Sequence, residues 1–73
     1  LKLVPVSGKE FCKIVERAGF VLVRQKGSHR TYRHPDGRVT RIPVHDNELL
    51  GKGLILAILE QTNLSRNEYD ALR

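Results

Sequence analysis

His29 follows Gly27-Ser28, Tyr32 stands three residues on, and His34-Pro35-Asp36-Gly37 closes the stretch. Free histidine titrates at about 6.5, so imidazole is the side chain suited to taking and giving protons near neutral pH. Residues 24–41 hold Arg24, Lys26, Arg30, Arg33, Arg38 and Arg41 against one acid, Asp36. That excess of five equals the net charge of the whole chain, which has 13 basic and 8 acidic residues. Charges outside the segment therefore cancel. A positive field centred on a group that moves protons fits chemistry on a polyanion. In RNA cleavage His29 can take the proton of a ribose 2′-hydroxyl as that oxygen attacks the adjacent phosphate. Nearby arginines would stabilise the charge growing there. The plain alternative is a histidine with no role beyond its place on a strand edge.

The neighbouring groups carry weaker signals. Arg24, Lys26, Arg30, Arg33 and Arg41 are expected to neutralise phosphates, or else to form a solvated polar face. The Gly27-Ser28 turn lets a ligand backbone come close to Ser28. Ser28 as a nucleophile needs an acid to orient His29, and none is evident. Tyr32 can stack a base or belong to the core. His34, before Pro35, is expected to be a solvated turn residue. Gly51-Lys52-Gly53 can cradle a phosphate ahead of a helix, but it lacks the full P-loop pattern and also fits a flexible loop. Three scattered histidines and the lone Cys12 match no metal-ligand spacing, so neither a metal nor a cofactor is expected.

Seventy-three residues imply one domain, 1–73, with a small single core: a chain this short buries only about 60% of its unfolded surface. A hydrophobic content of 40% with 29% charged residues fits a globular domain. The sequence pI of about 9.9 favours an acidic partner, nucleic acid or an acidic protein patch. No apolar run approaches the roughly 20 residues of a membrane span, and nothing resembles a signal peptide. With Cys12 alone no internal disulfide forms, which fits a cytoplasmic setting.

The elements that must position His29 follow from patterning. Ser7 and Glu10 form a capping pattern ahead of Phe11, Ile14, Val15 and Ala18, so a helix is expected over about 8–18, ended by Gly19. Strands are expected over about 20–26, 29–34 and 39–44, joined by turns at Gly27-Ser28 and Pro35-Asp36-Gly37. Residues 45–53 read as a loop. Leu54, Ile55, Ala57, Ile58 and Leu59 mark a second helix buried across a wide face. Ser65 and Glu68 open a short last helix with Tyr69 and Leu72 inward. This order gives an α+β two-layer sandwich, with helices on one face of a three-stranded antiparallel meander and the other face open. In the favoured register Tyr32 pairs with Ile42 in the core. Arg33 then lies opposite Arg41, and His29 near His45, on the open face. His45 thereby joins the candidate RNA-binding residues. A slip of one residue would turn His29 inward.

These residues together resemble the HicA toxin family, small mRNA interferases of toxin–antitoxin pairs. The likeness runs through Gly19-Phe20, Arg24-Gln25, Gly27-Ser28-His29, Tyr32, His34-Pro35-Asp36-Gly37, Pro43 and His45, into the helix over 54–64 and Ser65. Leu54 stands where many members carry threonine, and Thr62-Asn63 where a small residue and glycine are more usual. The resemblance implies a fold like the double-stranded-RNA-binding domain and ribonuclease activity on mRNA, with the catalytic histidine falling on His29. It also implies a HicB-type antitoxin that masks the toxin, alone or in a larger hetero-oligomer, and no membrane partner. Two other functions fit the same charges: an RNA-binding module without catalysis, and a basic module that meets an acidic protein.

Overall fold

The computed structural model describes residues 2–73, in the order α1 (Gly8–Arg17), β1 (Val21–Lys26), β2 (His29–Arg33), β3 (Val39–Pro43), α2 (Lys52–Thr62) and α3 (Arg66–Leu72). Ser7 starts α1: its Oγ accepts the Glu10 N–H at 3.2 Å, satisfying one amide that a helix start leaves free. Phe11, Cys12, Ile14 and Val15 recur on one side and are buried. Gly19, at φ +97°, turns the chain out of the helix so that buried Phe20 leads into β1.

The strands form an antiparallel sheet in the order β1-β2-β3. Lys26 and His29 pair across the Gly27-Ser28 turn, where only Gly27 has positive φ, at 60°. That is the type II′ pattern, whose twist suits the flanking strands. In the second hairpin the Gly37 N–H donates to the His34 carbonyl and the His34 N–H to the Arg38 carbonyl, each at 2.8 Å. Gly37, at φ +100°, is the last loop residue, which centres the loop on Asp36.

That centre sets the register, and it differs from the expected one by two residues. Tyr32 stands opposite Thr40, not Ile42. Arg41 stands opposite Thr31, not Arg33, and His29 faces Pro43, not His45. The expected pairing would centre the loop on Gly37. An even offset leaves each side chain on its expected face. Tyr32, Thr40 and Ile42 are buried, while His29, Arg33 and Arg41 are exposed.

β1 meets two constraints that one regular strand cannot satisfy. Phe20 is held in the core at one end, and the two-residue turn fixes Lys26 opposite His29 at the other. A β-bulge between Leu22 and Arg24 absorbs the extra residue, Val23. Leu22 then pairs with Tyr32, while Arg24 pairs with Thr31 on the face of His29. Bulges commonly re-aim side chains in this way.

α2 buries Ile55, Ile58, Leu59 and Thr62, one stripe at helical spacing. The apolar face is narrower than the sequence implied: Leu54 and Leu56 remain exposed, as does Ala57. Asn63 ends the helix at φ 55°, a left-handed conformation that asparagine tolerates better than most side chains. α3 carries a complete capping box between Ser65 and Glu68. Its Tyr69 packs against Phe11, with ring centroids 5.5 Å apart, and donates to the Val4 carbonyl at 2.5 Å. The result is the expected α+β arrangement, with an open sheet like that of a double-stranded-RNA-binding domain. Its apolar core lies between helices and sheet.

Candidate active site on the open sheet face

Pairing arranges the open face in three cross-strand rows. Lys26, His29 and Pro43 form the row nearest the first turn. Arg24, Thr31 and Arg41 form the middle row, and Val21, Arg33 and Val39 the far one. Adjacent rows lie about 6.7 Å apart along the strands, and adjacent strands about 4.8 Å apart.

The first two rows and the turn enclose a cleft of about 600 Å³. Arg24, Lys26, His29, Thr31 and Arg41 line it together with Gly27 and Ser28. Three cations and no carboxylate surround the imidazole, so the cleft selects for an anion. Its rim is held in place from below. Gln25 Nε2 donates to the Gly27 carbonyl at 3.3 Å, and the Val44 N–H donates to the Ser28 carbonyl at 2.6 Å. A Cβ placed on Gly27 would meet nothing within 4 Å, so the turn is open to a ligand's approach.

α1 supports the same end of the sheet. Gly8 comes so close to β3 that a Cβ there would lie 2.0 Å from the Pro43 carbonyl oxygen. Pro43 is the residue opposite His29, so the helix start and the candidate base share one backbone contact. Beneath β2, the Tyr32 hydroxyl donates to Glu16 Oε2 at 2.6 Å. Burial pushes the Tyr32 phenol upward, and the bond to Glu16 adds to the shift. Burial likewise raises the Cys12 thiol, which keeps it protonated and unreactive.

Four of the seven candidate RNA-binding residues, Arg24, Lys26, Ser28 and Arg41, line the His29 cleft. The other three do not. Arg33 lies on the same face but one row beyond the cleft. Arg30 alternates to the helix side, opposite Ile42 and beside Tyr32 and Cys12. It lines a separate cavity of about 480 Å³ with Lys9, Val44, Asp46 and Asn47. His45 lies past the end of β3, in a cavity of about 130 Å³ with Glu48, Leu49 and Gly51 among its walls. It is not brought opposite His29, because the register carries Pro43 there instead.

His34 is half-buried rather than solvated. Its ring packs edge-on against Phe20, with centroids 5.1 Å apart, and its Nδ1 accepts the Asp36 N–H at 3.2 Å. Arg38 completes this structural corner. It pairs with Asp36 at 2.8 Å, lies 5.1 Å from the centroid of the Phe20 ring, and donates to the Thr62 carbonyl. The Arg38 guanidinium holds the Asp36 carboxyl below its ordinary value.

Thr31 is the cleft residue that sequence reasoning passed over. The signal was present: Thr31 is two positions from His29 on the same strand and must share its face. Among the described residues, no group of three or more His, Cys, Asp or Glu side chains comes together to hold a metal ion. No helix among them is long and apolar enough to cross a membrane.

The family model for the HicA toxin of bacterial toxin–antitoxin systems matches residues 8–64. That span runs from the start of α1 to just past α2 and includes every residue of the cleft. No curated protein matches the chain. On the family match, the chain belongs to the HicA toxin family.

Proposed function

We propose that the protein is an endoribonuclease that cuts mRNA in the cytoplasm, as the toxin of a type II toxin–antitoxin pair. The observation that carries this is an exposed imidazole, His29, in a cleft lined by Arg24, Lys26 and Arg41 with no carboxylate among its walls. His29 takes the proton of the ribose 2′-hydroxyl. The freed oxygen attacks the adjacent phosphorus and forms a 2′,3′-cyclic phosphate. The P–O5′ bond breaks, and the departing 5′-oxygen takes a proton from water in the open cleft. Arg24 and Arg41, on either side of Thr31, stabilise the charge that builds on the phosphate. Lys26 and Ser28 hold the neighbouring backbone. No metal is required, because base and charge stabilisation both come from side chains.

The test is cleavage of a defined RNA in excess chelator. Activity persists, and the product carries a 2′,3′-cyclic phosphate or its hydrolysis product. An RNA methylated on the 2′-oxygen at the cut site is not cleaved. Loss of activity with chelator and its return with a divalent metal overturns the mechanism, as does efficient cutting of the methylated RNA.

A HicB-type antitoxin is the partner that family membership brings with it. It covers the His29 face and sets acidic or polar groups against Arg33 and Arg41, competing with RNA for the same field. Charge reversal at Arg41 then slows antitoxin association and also weakens RNA binding. Unchanged antitoxin binding alongside lost RNA binding would place the antitoxin on another surface.

A further inference from the structure

The far row of the open face differs from the other two. The Arg33 side chain is exposed and makes no hydrogen bond or ion pair among the described residues. Its cross-strand neighbours are Val21, 57% exposed, and Val39, 45% exposed. A phosphate gains nothing from aliphatic neighbours. Arg24 and Arg41, which flank the polar Thr31, suit a phosphate better. A planar guanidinium on an aliphatic floor suits a flat, weakly polar ligand.

A ribonuclease that grips single-stranded RNA has such a ligand to accommodate. Unpaired bases stack on aromatic rings or on guanidinium planes. Here no phenyl, phenol or indole platform is available, since Phe11, Phe20, Tyr32 and Tyr69 are all buried and the chain has no tryptophan, and the exposed His29 ring is taken up as the base. His34 is spent on Phe20, and His45 lies in a different cavity. Arg33 is the planar group left on an apolar surface of the open face. It sits one row, about 6.7 Å, from the arginines of the cleft.

Resting on the ribonuclease reading above, we infer that Val21, Arg33 and Val39 form a base-stacking subsite that gives the enzyme a purine preference at one nucleotide beside the cut. The cleft residues hold phosphates and carry no sequence information. The far row takes the base of an adjacent nucleotide on the face of the Arg33 guanidinium, over the two valines. Purines offer the larger π-face and so stack more strongly, which makes the preference one of degree.

The experiment is cleavage of a random-sequence RNA pool, with sequencing of the ends produced. The wild-type chain shows purine enrichment of about twofold at one fixed position next to the cut, because purines and pyrimidines differ by only a part of the stacking free energy of a base. Arg33→Lys keeps the charge but has no planar face. It brings that enrichment close to one while the salt dependence of cleavage holds. Val39→Thr lowers the enrichment in part. In parallel, affinities of His29→Ala and of His29→Ala/Arg33→Lys for purine-only and pyrimidine-only pentamers read the subsite without cleavage. The first favours purines and the second does not. Unchanged enrichment and unchanged pentamer preference in the Arg33→Lys variants overturn the subsite. If those variants instead lose only the binding of a protein partner, the row is a protein interface. A wild-type chain that cuts no RNA overturns the ribonuclease reading, whereas lost purine preference in an active enzyme bears on the subsite alone.

Discussion

Gly8 and Gly53 are both helical glycines, and helix propensity alone predicts that alanine at either would stabilise the fold by up to about 1 kcal/mol. Their surroundings predict opposite outcomes. A Cβ at Gly53 meets nothing within 4 Å. At Gly8 it would lie 2.0 Å from the Pro43 carbonyl oxygen, 3.0 Å from the Pro43 carbonyl carbon and 3.2 Å from Val44 Cα. All three atoms are backbone, so no side chain can swing aside. Relief requires α1 to lift away from β3. Overpacking of this kind costs about 1–3 kcal/mol, and the shortness of the contact argues for the upper end. Allowing for the propensity gain, Gly8→Ala destabilises by about 2 kcal/mol. In a domain of this size each kcal/mol moves the Tm by about 4–8 °C, so the melting temperature falls by about 8–16 °C. Gly53→Ala raises it by a few degrees. Thermal unfolding followed by circular dichroism measures both. Because Pro43 faces His29, Gly8→Ala also lowers cleavage by more than its unfolded fraction explains. A Gly8→Ala protein as stable as wild type, or more stable, refutes the packing argument.

Two further outcomes follow from the hydrogen bonds. Tyr32→Phe removes the 2.6 Å bond to Glu16 and costs about 1 kcal/mol, below the about 1.5–3 kcal/mol of a bond to a charged group because Glu16 is itself exposed; stability within about 0.3 kcal/mol of wild type in denaturant titration would contradict it. Asp36 and Glu68 both titrate below their ordinary values, the first held down by Arg38 and the second by the Ser65 backbone and hydroxyl. A depressed carboxyl adds stability that is present above its unfolded pKa, about 3.9 for Asp and 4.3 for Glu, and is lost as pH falls through the lower folded value. The Tm therefore drops between about pH 5 and pH 2, and Asp36→Asn with Glu68→Gln flattens that drop; an unchanged acid slope in the double variant would count against these pairings.

The parts of the fold legible in the sequence were those written in local chemistry. Ser7, Ser65 and Gly27 each act through neighbours a few residues away, so the starts of α1 and α3 and the first turn stand where the pattern put them, whereas α2, which has no side-chain cap, begins at Lys52 inside the expected loop over 45–53. Period-2 alternation placed His29 on the open face and Tyr32 in the core. Pairing across the second hairpin was less legible, because Pro35-Asp36-Gly37 signals a turn without saying which residue is its centre. The resulting two-residue offset left the faces intact but moved His45 away from His29 and Arg41 away from Arg33. Thr31 was hidden by its plain chemistry, since a hydroxyl becomes notable only once Arg24 and Arg41 are seen on both sides of it. Gly8 was hidden because its role is a contact with residues 43 and 44, far along the chain. His34 looked like a turn residue until Phe20 was found against its ring.

If His29 is the proton-transfer group of an RNA-cleaving cleft, as proposed, the His29→Ala protein loses cleavage and nothing else. His29 is exposed and its side chain makes no hydrogen bond among the described residues, so the substitution changes stability by about 0.5 kcal/mol or less. Cleavage of a defined RNA and binding of an uncleavable 2′-O-methyl copy are measured on the same folded preparation. The expected result is abolished cleavage with RNA affinity and melting temperature close to wild type, because Arg24, Lys26 and Arg41 still line the cleft. Cleavage at the wild-type rate by a folded His29→Ala protein would contradict it.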